Sequence, residues 1–380
     1  MQDVDSETFE VAMAILKDLK ITNFRGFDAL EVDGLSKINL FVGKNNSGKT
    51  SVLEALFLLF GMSNPVLPGN INQIRGLNLF NPNQFKYLFH NLDLENVPSF
   101  RGIFEDESER ELELNAISQL QKKNFFPDFP NLYPQQRDNF SPILSSALPL
   151  SEAVGIRMKF SQKEKSNEKI IKDSFAFYDA NGINHIPPNN YEETLSAIYI
   201  NPDKNDLVTL ARYSEIVKRN ENNAILEALQ KFDSNIESIQ PLLDGIYFKL
   251  KNITKLIPCN IMGDGIRRFL NIVTAVSEKH NVFVLIDEIE NGLHYSAYET
   301  LWKNLIFYSL QNNVQLFITT HNIETLESLR VVLEESQHKE MCNYSKVFSI
   351  SKTAESKYKA YKYSYEEFKT AIENDLELRK

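Results

Sequence analysis

The segment from Gly43 to Thr50 constrains this chain more than any other, because it fits the pattern Gly-x-x-x-x-Gly-Lys-Ser/Thr in full. The mainly apolar run 38–42 before it predicts a buried strand, and the run 51–60 after it predicts an apolar helix. Glycines let the backbone curl so that successive N–H groups point inward, and the helix N-terminus adds a partial positive charge. A glycine-rich turn is the alternative, but the order of strand, loop and helix favours a site for the phosphates of a nucleoside triphosphate.

Two side chains of this loop have distinct expected tasks. Lys49 is expected to reach the β- and γ-phosphates, and the hydroxyl of Thr50 to bind Mg²⁺. A GTPase is disfavoured, because the base-reading pattern Asn-Lys-x-Asp does not occur in the sequence. We therefore expect ATP and Mg²⁺ as ligands. The loop residues predicted to bind the nucleotide are Gly43, Asn45, Asn46, Ser47, Gly48, Lys49, Thr50 and Ser51.

The composition limits where and with what the chain can act. Its net charge of −10 disfavours attraction of the whole molecule to nucleic acid or to an anionic membrane, although a local basic face is compatible with it. Its two cysteines, Cys259 and Cys342, lack metal-ligand spacing and suit a reducing cytoplasm. No signal peptide is evident at the N-terminus, and no apolar run approaches the roughly 20 residues of a membrane span. We expect a cytoplasmic protein without membrane contact.

The chain divides by its patterns into four segments. Residues 1–62 predict the N-terminal lobe of an ATPase, 63–205 a mainly β insertion, 206–245 a short helical subdomain, and 246–380 a C-terminal lobe with alternating strands and helices. The proline-rich aromatic run 125–134 cannot be a regular helix. It either docks a partner or folds back onto its own domain.

A second half of the phosphate site is predicted near residue 287. The run 282–286 is continuously apolar and ends in Asp287 and Glu288, as expected for a central parallel strand that is buried on both faces. Acids at the C-terminal end of such a strand lie in the crevice where these sheets bind ligands. Asp287 is expected to hold Mg²⁺, directly or through water, and Glu288 to accept a proton from the attacking water. A solvated strand end is the alternative.

Two further features narrow the prediction. The run 316–320 predicts another buried strand, and it is followed by His321. The imidazole of His321 could sense the γ-phosphate through a hydrogen bond, or could be structural. Gly263 and Gly265 precede a helical pattern and would form a second phosphate-binding helix N-terminus. Because one nucleotide does not need two such ends from one subunit, the second could serve a nucleotide held by another copy. A simple turn with Asp264 as the helix cap is the alternative.

Taken together, these residues resemble the ATP-binding-cassette head of the SMC, RecF and OLD group of ATPases. The sequence motifs Gly-Asp-Gly-Ile-Arg-Arg and Glu-x-x-Asn-Gly-Leu-His are most similar to those of OLD-like ATPases of bacterial anti-phage systems. The resemblance implies an α/β fold, an ABC-type P-loop ATPase head with a mainly β insertion and a small helical subdomain. The elements that carry it are an opening strand in Leu19–Phe27 with Arg25 near the phosphates, Walker A at Gly43–Thr50, a signature loop at Gly263–Gly265, Walker B with its base at Asp287 and Glu288, a D-loop region at Glu290–His294, and the switch histidine His321.

The resemblance also implies a head-to-head homodimer, or a higher oligomer, with two ATP molecules at its interface. Gly263 replaces the signature serine, so phosphate contact in trans would depend on backbone N–H groups. Gln84 is the candidate for the Q-loop glutamine. SMC heads carry long coiled coils, whereas this chain has no sustained heptad pattern.

The functions compatible with such a head belong to different classes. The first is a sensor or assembly platform in anti-phage defence, which works with a separate effector protein, a nuclease or a toxin. A nuclease within this chain is disfavoured: a TOPRIM site needs a glutamate and an Asp-x-Asp pair, and Asp375 is the only aspartate after His321. The second is a RecF-like repair ATPase that binds DNA directly. The third is a scaffold in which ATP serves assembly.

The Lys-Tyr run 357–362 is a candidate contact surface, or a strand with a solvated face.

Overall fold

The computed structural model describes residues 14–77, 82–118, 153–165, 168–179, 182–202, 206–335, 337, 339–353, 355 and 357–374. The aromatic run 125–134 lies outside the described residues. None of the described helices combines the length and the apolar character that a bilayer span requires.

Sixteen strands are described: β1 Leu16–Phe24, β2 Phe27–Asp33, β3 Ile38–Val42, β4 Ser99–Phe104, β5 Glu109–Ser118, β6 Ala153–Lys163, β7 Lys169–Asp179, β8 Gly182–Ile186, β9 Ala197–Ile200, β10 Ile236–Leu242, β11 Gly245–Leu250, β12 Ile257–Pro258, β13 Phe283–Ile286, β14 Gln315–Thr319, β15 Ser345–Lys352 and β16 Tyr358–Tyr363. The α-helices in the same residues are α1 Lys49–Phe60, α2 Leu67–Ile74, α3 Asp206–Lys218, α4 Asn222–Gln230, α5 Asp264–Ser277, α6 Tyr298–Gln311, α7 Ile323–Glu334, α8 Met341–Tyr344 and α9 Tyr365–Glu373.

A six-stranded sheet with the order β16-β15-β3-β14-β13-β9 forms the centre of the molecule. Neighbouring strands from β15 to β9 are parallel, and β16 pairs with β15 in antiparallel fashion at one edge. The C-terminal ends of β3, β13 and β14 therefore lie at the same edge of the sheet. This edge brings together the glycine-rich loop, the acid pair and His321.

The site strands β3, β13 and β14 are mainly apolar because both faces of their sheet are covered. Alternate residues of β3, β13 and β14 belong to two different cores. Val284 and Ile286 face a core that also contains residues of α3–α7 and α9, whereas Phe283 and Leu285 face a core that contains α1 and the other large sheet. Burial on both faces removes the polar alternation seen in half-exposed strands. It is the physical reason why these strands were recognisable as continuous apolar runs.

The other large sheet is antiparallel, with the order β2-β1-β4-β5-β6-β7-β8. Helix α1 contributes its buried residues to the core between the two sheets, which fixes the first turn of the helix beside the phosphate loop. A three-stranded sheet, β10-β11-β12, packs with α3 and α4 near α5.

Segment 63–205 shares both large sheets with the rest of the chain. Its β4 pairs with β1, and its β9 pairs with β13 in the parallel sheet. Segment 206–245 contains α3 and α4, as its helical pattern predicted, and also β10. The division of the chain into four segments stays a prediction.

Candidate functional site

The loop between β3 and α1 has the conformation that its glycines permit. Gly43 and Gly48 have φ angles of 148° and 96°. A Cβ atom at Gly48 would lie 2.5 Å from Cζ of Phe27, and one at Gly43 would lie 2.6 Å from the carbonyl oxygen of Ile350. Gly48 is also the N-cap residue of α1, so the loop leads directly into the helix N-terminus. Close packing and backbone conformation therefore both require glycine at these two positions.

Lys49 begins α1 and folds back over the loop. Its Nζ donates hydrogen bonds to the carbonyl oxygens of Gly43 and Lys44, each at 2.9 Å. Burial lowers the pKa of Lys49, whereas the negative charges of Asp287 and Glu288 act in the opposite direction. The ammonium group is thus held where it can meet an anion in the loop.

The loop offers hydrogen-bonding groups for a bound phosphate chain. The buried hydroxyl of Ser47 has no hydrogen-bond partner among the described residues, and Ser47 lines the same cavity as Lys49. A buried polar group without a partner is costly, and a ligand oxygen would satisfy it. The residues present therefore fit a nucleoside triphosphate.

The predicted metal ligands, Thr50 and Asp287, lie in contact. The hydroxyl of Thr50 donates to Oδ1 of Asp287 at 3.1 Å, and the hydroxyl of Thr319 donates to the same oxygen at 2.6 Å. Asp287 is buried, at 4 % exposure. A hydroxyl and a carboxylate are the hard oxygen donors that Mg²⁺ prefers, and Mg²⁺ is commonly held by one or two protein ligands together with substrate phosphates. This donor set fits a magnesium ion.

Glu288 follows Asp287 in a left-handed backbone conformation, with a φ angle of 47°. Its N–H donates to the hydroxyl of Thr319 at 2.8 Å, so one threonine hydroxyl bridges both acids. The guanidinium of Arg268, from α5, donates to the carbonyl oxygens of Asp287 and Glu288 at 2.7 and 3.1 Å. Burial lowers the pKa of Arg268 to about 10. The strained turn after β13 is thus fixed from β14 and from α5.

His321, after β14, is oriented by Glu290. One carboxylate oxygen of Glu290 accepts from the backbone N–H of His321 and lies 2.9 Å from Nδ1 of its ring. Glu290 is buried, whereas the His321 side chain is 46 % exposed. The imidazole is therefore anchored at Nδ1 beside the cavity that it lines.

A buried carboxylate on α1 holds two arginines. Glu54, which is fully buried, lies 2.6 Å from Nε of Arg25 and 2.6 Å from Nε of Arg75. Arg75 also donates to the hydroxyl of Ser51 at 3.2 Å, and Arg25 to the side-chain oxygen of Asn72 at 3.2 Å. Burial lowers the pKa of Arg25, and Glu54 opposes that shift. Both guanidinium groups line the cavity above the phosphate loop.

Most of the predicted site residues lie around one cavity of about 590 Å³. Gly263, Gly265 and Gln84 are not among the described residues that line it. Gly263 is the N-cap of α5, so Asp264 is the first helical residue and not the cap. A second cavity, of about 440 Å³, lies beside this helix. The predicted residues that line the first cavity are Arg25, Asn45, Asn46, Ser47, Gly48, Lys49, Thr50, Ser51, Asp287, Glu288 and His321.

Sequence reasoning assigned no task to five residues that support this site. Each forms a hydrogen bond with a predicted site residue. The only local signals in the sequence were the acidic Glu54 within an apolar helix and the arginine pair, Arg267 and Arg268, after the second glycine motif. The residues whose supporting role was not predicted are Glu54, Arg75, Arg268, Glu290 and Thr319.

A phosphate loop on a central parallel strand, with an acid pair at the end of a nearby strand and an antiparallel sheet packed over α1, defines an ABC-type P-loop ATPase head. This α/β fold class was predicted from the sequence and is confirmed.

The chain belongs to the family described as AAA ATPase domain, which matches residues 13–325. It is therefore an ATPase of this family. A relative from Helicobacter pylori named ATP/GTP phosphatase is 27 % identical over 367 residues, covering 88 % of this chain and 92 % of the relative. The DNA replication and repair protein RecF of Lysinibacillus sphaericus is 43 % identical over 44 residues, which is 12 % of each chain.

Solved SMC heads are also similar to this chain. A head bound to the C-terminal winged-helix domain of ScpA has a TM-score of 0.46 at 12 % identity, with 93 % of this chain and 99 % of that chain covered. The SMC head domain from Thermotoga maritima has a TM-score of 0.39 at 12 % identity, with 91 % and 98 % covered. Both scores lie below 0.5.

Proposed function

We propose that this ATPase hydrolyses ATP in the cavity above the phosphate loop, with Glu288 as the general base. The observation that carries the proposal is the hydrogen-bonded set formed by Thr50, Asp287, Thr319 and the backbone of Glu288. Thr50 and Asp287 would hold Mg²⁺, which when bound supplies positive charge to the phosphates. Glu288 would accept the proton of the attacking water. The name of the H. pylori relative, ATP/GTP phosphatase, supports hydrolysis of a nucleoside triphosphate.

Three cationic or hydrogen-bonding groups would stabilise the charge that develops on the transferred phosphate. Lys49 would leave its carbonyl partners for the β- and γ-phosphates, and the imidazole of His321 would contact the γ-phosphate. Arg75 would add a second positive charge, held in place by Glu54. Fixed donors of this kind stabilise a transition state more than mobile ones, because they need no reorganisation during the reaction.

We further propose that ATP joins two copies of the chain head to head. Gly263 is exposed at the N-terminus of α5, away from the residues that line the cavity of its own subunit. The backbone N–H groups at this helix end could receive the γ-phosphate of a nucleotide held by a partner. ATP would then stabilise the dimer and hydrolysis would release it.

For its biological role we propose an OLD-like sensor or assembly platform in anti-phage defence, which acts in the cytoplasm with a separate nuclease or toxin as effector. The proposal depends on the resemblance of the sequence motifs to those of OLD-like ATPases, and on the expectation that this chain carries no nuclease site. The short but 43 % identical match to RecF favours one other candidate, a repair ATPase that binds DNA directly.

The test measures nucleotide binding and phosphate release with purified protein. Lys49→Ala should lose most ATP affinity, whereas Glu288→Gln should keep it and hydrolyse about 10²–10⁴-fold more slowly, the usual contribution of a general base. Hydrolysis at the wild-type rate by Glu288→Gln would refute the assignment of the base.

The same protein, incubated with Mg²⁺ or Mn²⁺, ATP and plasmid, linear DNA or RNA, tests the biological role. We expect no cleavage. Cleavage that disappears in a site variant of this chain would refute a separate effector. ATP-dependent, salt-sensitive DNA binding would favour the repair candidate.

A further inference from the structure

Three segments that are distant in sequence meet beside the phosphate loop, on the side away from the acid pair. They are the turn between β1 and β2, the loop itself, and the hairpin of β15 and β16. The carbonyl oxygen of Ile350 in β15 lies against Gly43, and Phe27 lies against Gly48. Tyr358, the first residue of β16, lines the cavity together with the loop.

The ring of Tyr358 has defined neighbours. It meets the ring of Phe27 nearly perpendicularly, at 86°, with the ring centres 4.9 Å apart. Nζ of Lys352 lies 5.5 Å from the centre of the Tyr358 ring. The hydroxyl of Tyr358 lies close enough to Gly26 to meet a Cβ there at 3.4 Å. Phe27 is fully buried, whereas Tyr358 is half-buried, so Tyr358 is the ring of this pair that is open to a ligand.

The strand order gives a bound nucleotide its direction. Strand β3, which carries the phosphate loop, has β14 and β13 on one side and β15 and β16 on the other. The acids and His321 follow β13 and β14, so the γ-phosphate points to that side. The base must then leave toward β15 and β16. Strands lie about 4.8 Å apart, so β16 is roughly 10 Å from β3, a distance that the ribose and base can cover.

We propose that Tyr358 binds the base of the nucleotide by stacking. This inference rests on the proposed function, because it needs the phosphates to lie at Lys49. An aromatic face stacks on any base, since every base has a π-face. Tyr358 would therefore add to the affinity for both ATP and GTP, beyond the affinity for their phosphates.

The test separates base binding from phosphate binding. Calorimetric titration with ATP, GTP and inorganic tripolyphosphate is carried out in the Glu288→Gln background, which suppresses hydrolysis. Tyr358→Ala should bind both nucleotides about 5- to 150-fold more weakly, the range expected for loss of one stacked base. Its affinity for tripolyphosphate should not change. Tyr358→Phe, which keeps the ring, should bind like the parent protein.

Tyr361→Ala is the matched control. Tyr361 lies on the same strand, three residues further on and therefore on its opposite face, and is 47 % exposed. It should bind all three ligands like the parent. Equal losses for tripolyphosphate and ATP in Tyr358→Ala would overturn the inference, because Tyr358 would then shape the loop through Phe27. Unchanged ATP affinity would also overturn it. A parent protein that binds neither ATP nor tripolyphosphate would overturn the proposed function, and this inference with it.

Discussion

Replacement of Thr319 by valine tests how the acid pair is held in place. Valine has nearly the same shape but lacks the hydroxyl that donates to Asp287 at 2.6 Å and accepts from the N–H of Glu288 at 2.8 Å. A hydrogen bond to a charged group contributes about 1.5–3 kcal/mol, and a buried N–H left without a partner costs about 1–3 kcal/mol. Because both bonds share one hydroxyl, their contributions do not add fully, and we expect Thr319→Val to lower the free energy of unfolding by about 2–4 kcal/mol.

The same change should slow hydrolysis, because Glu288 would lose one of the two contacts that fix its left-handed conformation and keep only the bond from Arg268 to its carbonyl oxygen. That conformation costs roughly 1–2 kcal/mol in a residue other than glycine, so without its anchor the turn would relax. If about 1.4–2.8 kcal/mol of transition-state stabilisation is lost, kcat falls about 10- to 100-fold, at a factor of ten per 1.36 kcal/mol. The affinity for ADP should change little, because Lys49 and the loop remain intact.

The assay combines phosphate release, titration with a fluorescent ADP and chemical denaturation. Thr319→Ser keeps the hydroxyl and should recover most of kcat. Thr320→Val is the matched control: this buried neighbour contacts Asn322 instead of the acids, so its loss should affect stability but not kcat. A wild-type kcat in Thr319→Val, or a serine variant as slow as the valine variant, would refute the reasoning.

Three further predictions concern other parts of the molecule. Gly265→Glu should abolish ATP-dependent activity, and its mixture with Lys49→Ala should restore at most one active site per mixed dimer; full activity of Gly265→Glu alone would exclude a site shared between subunits. Arg75→Ala should lower kcat about 10- to 100-fold, as expected for loss of one fixed cation near the phosphates, and Arg75→Lys should recover part of it. Equal kcat values in the wild type and both variants would contradict this role. Burial lowers the pKa of Lys37 to about 8, below its ordinary value of 10.5, so between these values the unfolded chain binds more protons and the free energy of unfolding should rise with pH. Lys37→Met should remove this rise, which denaturation at a series of pH values measures. An unchanged dependence of the free energy of unfolding on pH in this variant would contradict the role of Lys37.

The phosphate loop could be predicted from sequence because its function depends on adjacent residues. The backbone N–H groups that surround a phosphate in such a loop all lie within Gly43–Thr50. The residues on either side of the loop form β3 and α1 and so fix its position. The acid pair after β13 was recognisable for a related reason, since a strand buried on both faces is apolar at every position. His321 was noticed because it follows the mainly apolar strand β14. The parallel order of the strands places these groups at one edge of the sheet.

Other features depended on contacts that no local pattern records. The carboxylate of Glu54 could be recognised as acidic within an apolar helix, but its two arginine partners come from separate segments. Thr319, the threonine that bridges the acids, cannot be distinguished in the sequence from any other residue of a buried strand. Its role depends on which strand lies next to β13.

The sequence by itself therefore determined the class of ligand and the central strands, because backbone curvature and burial on both faces leave local patterns. Only the tertiary structure decided which side chains hold these groups in place and where the base of the nucleotide can lie. Tyr358 shows the reason: its position above the loop depends on the pairing of β15 with β3, and strand pairing is set by packing of the whole core, not by the sequence around the tyrosine.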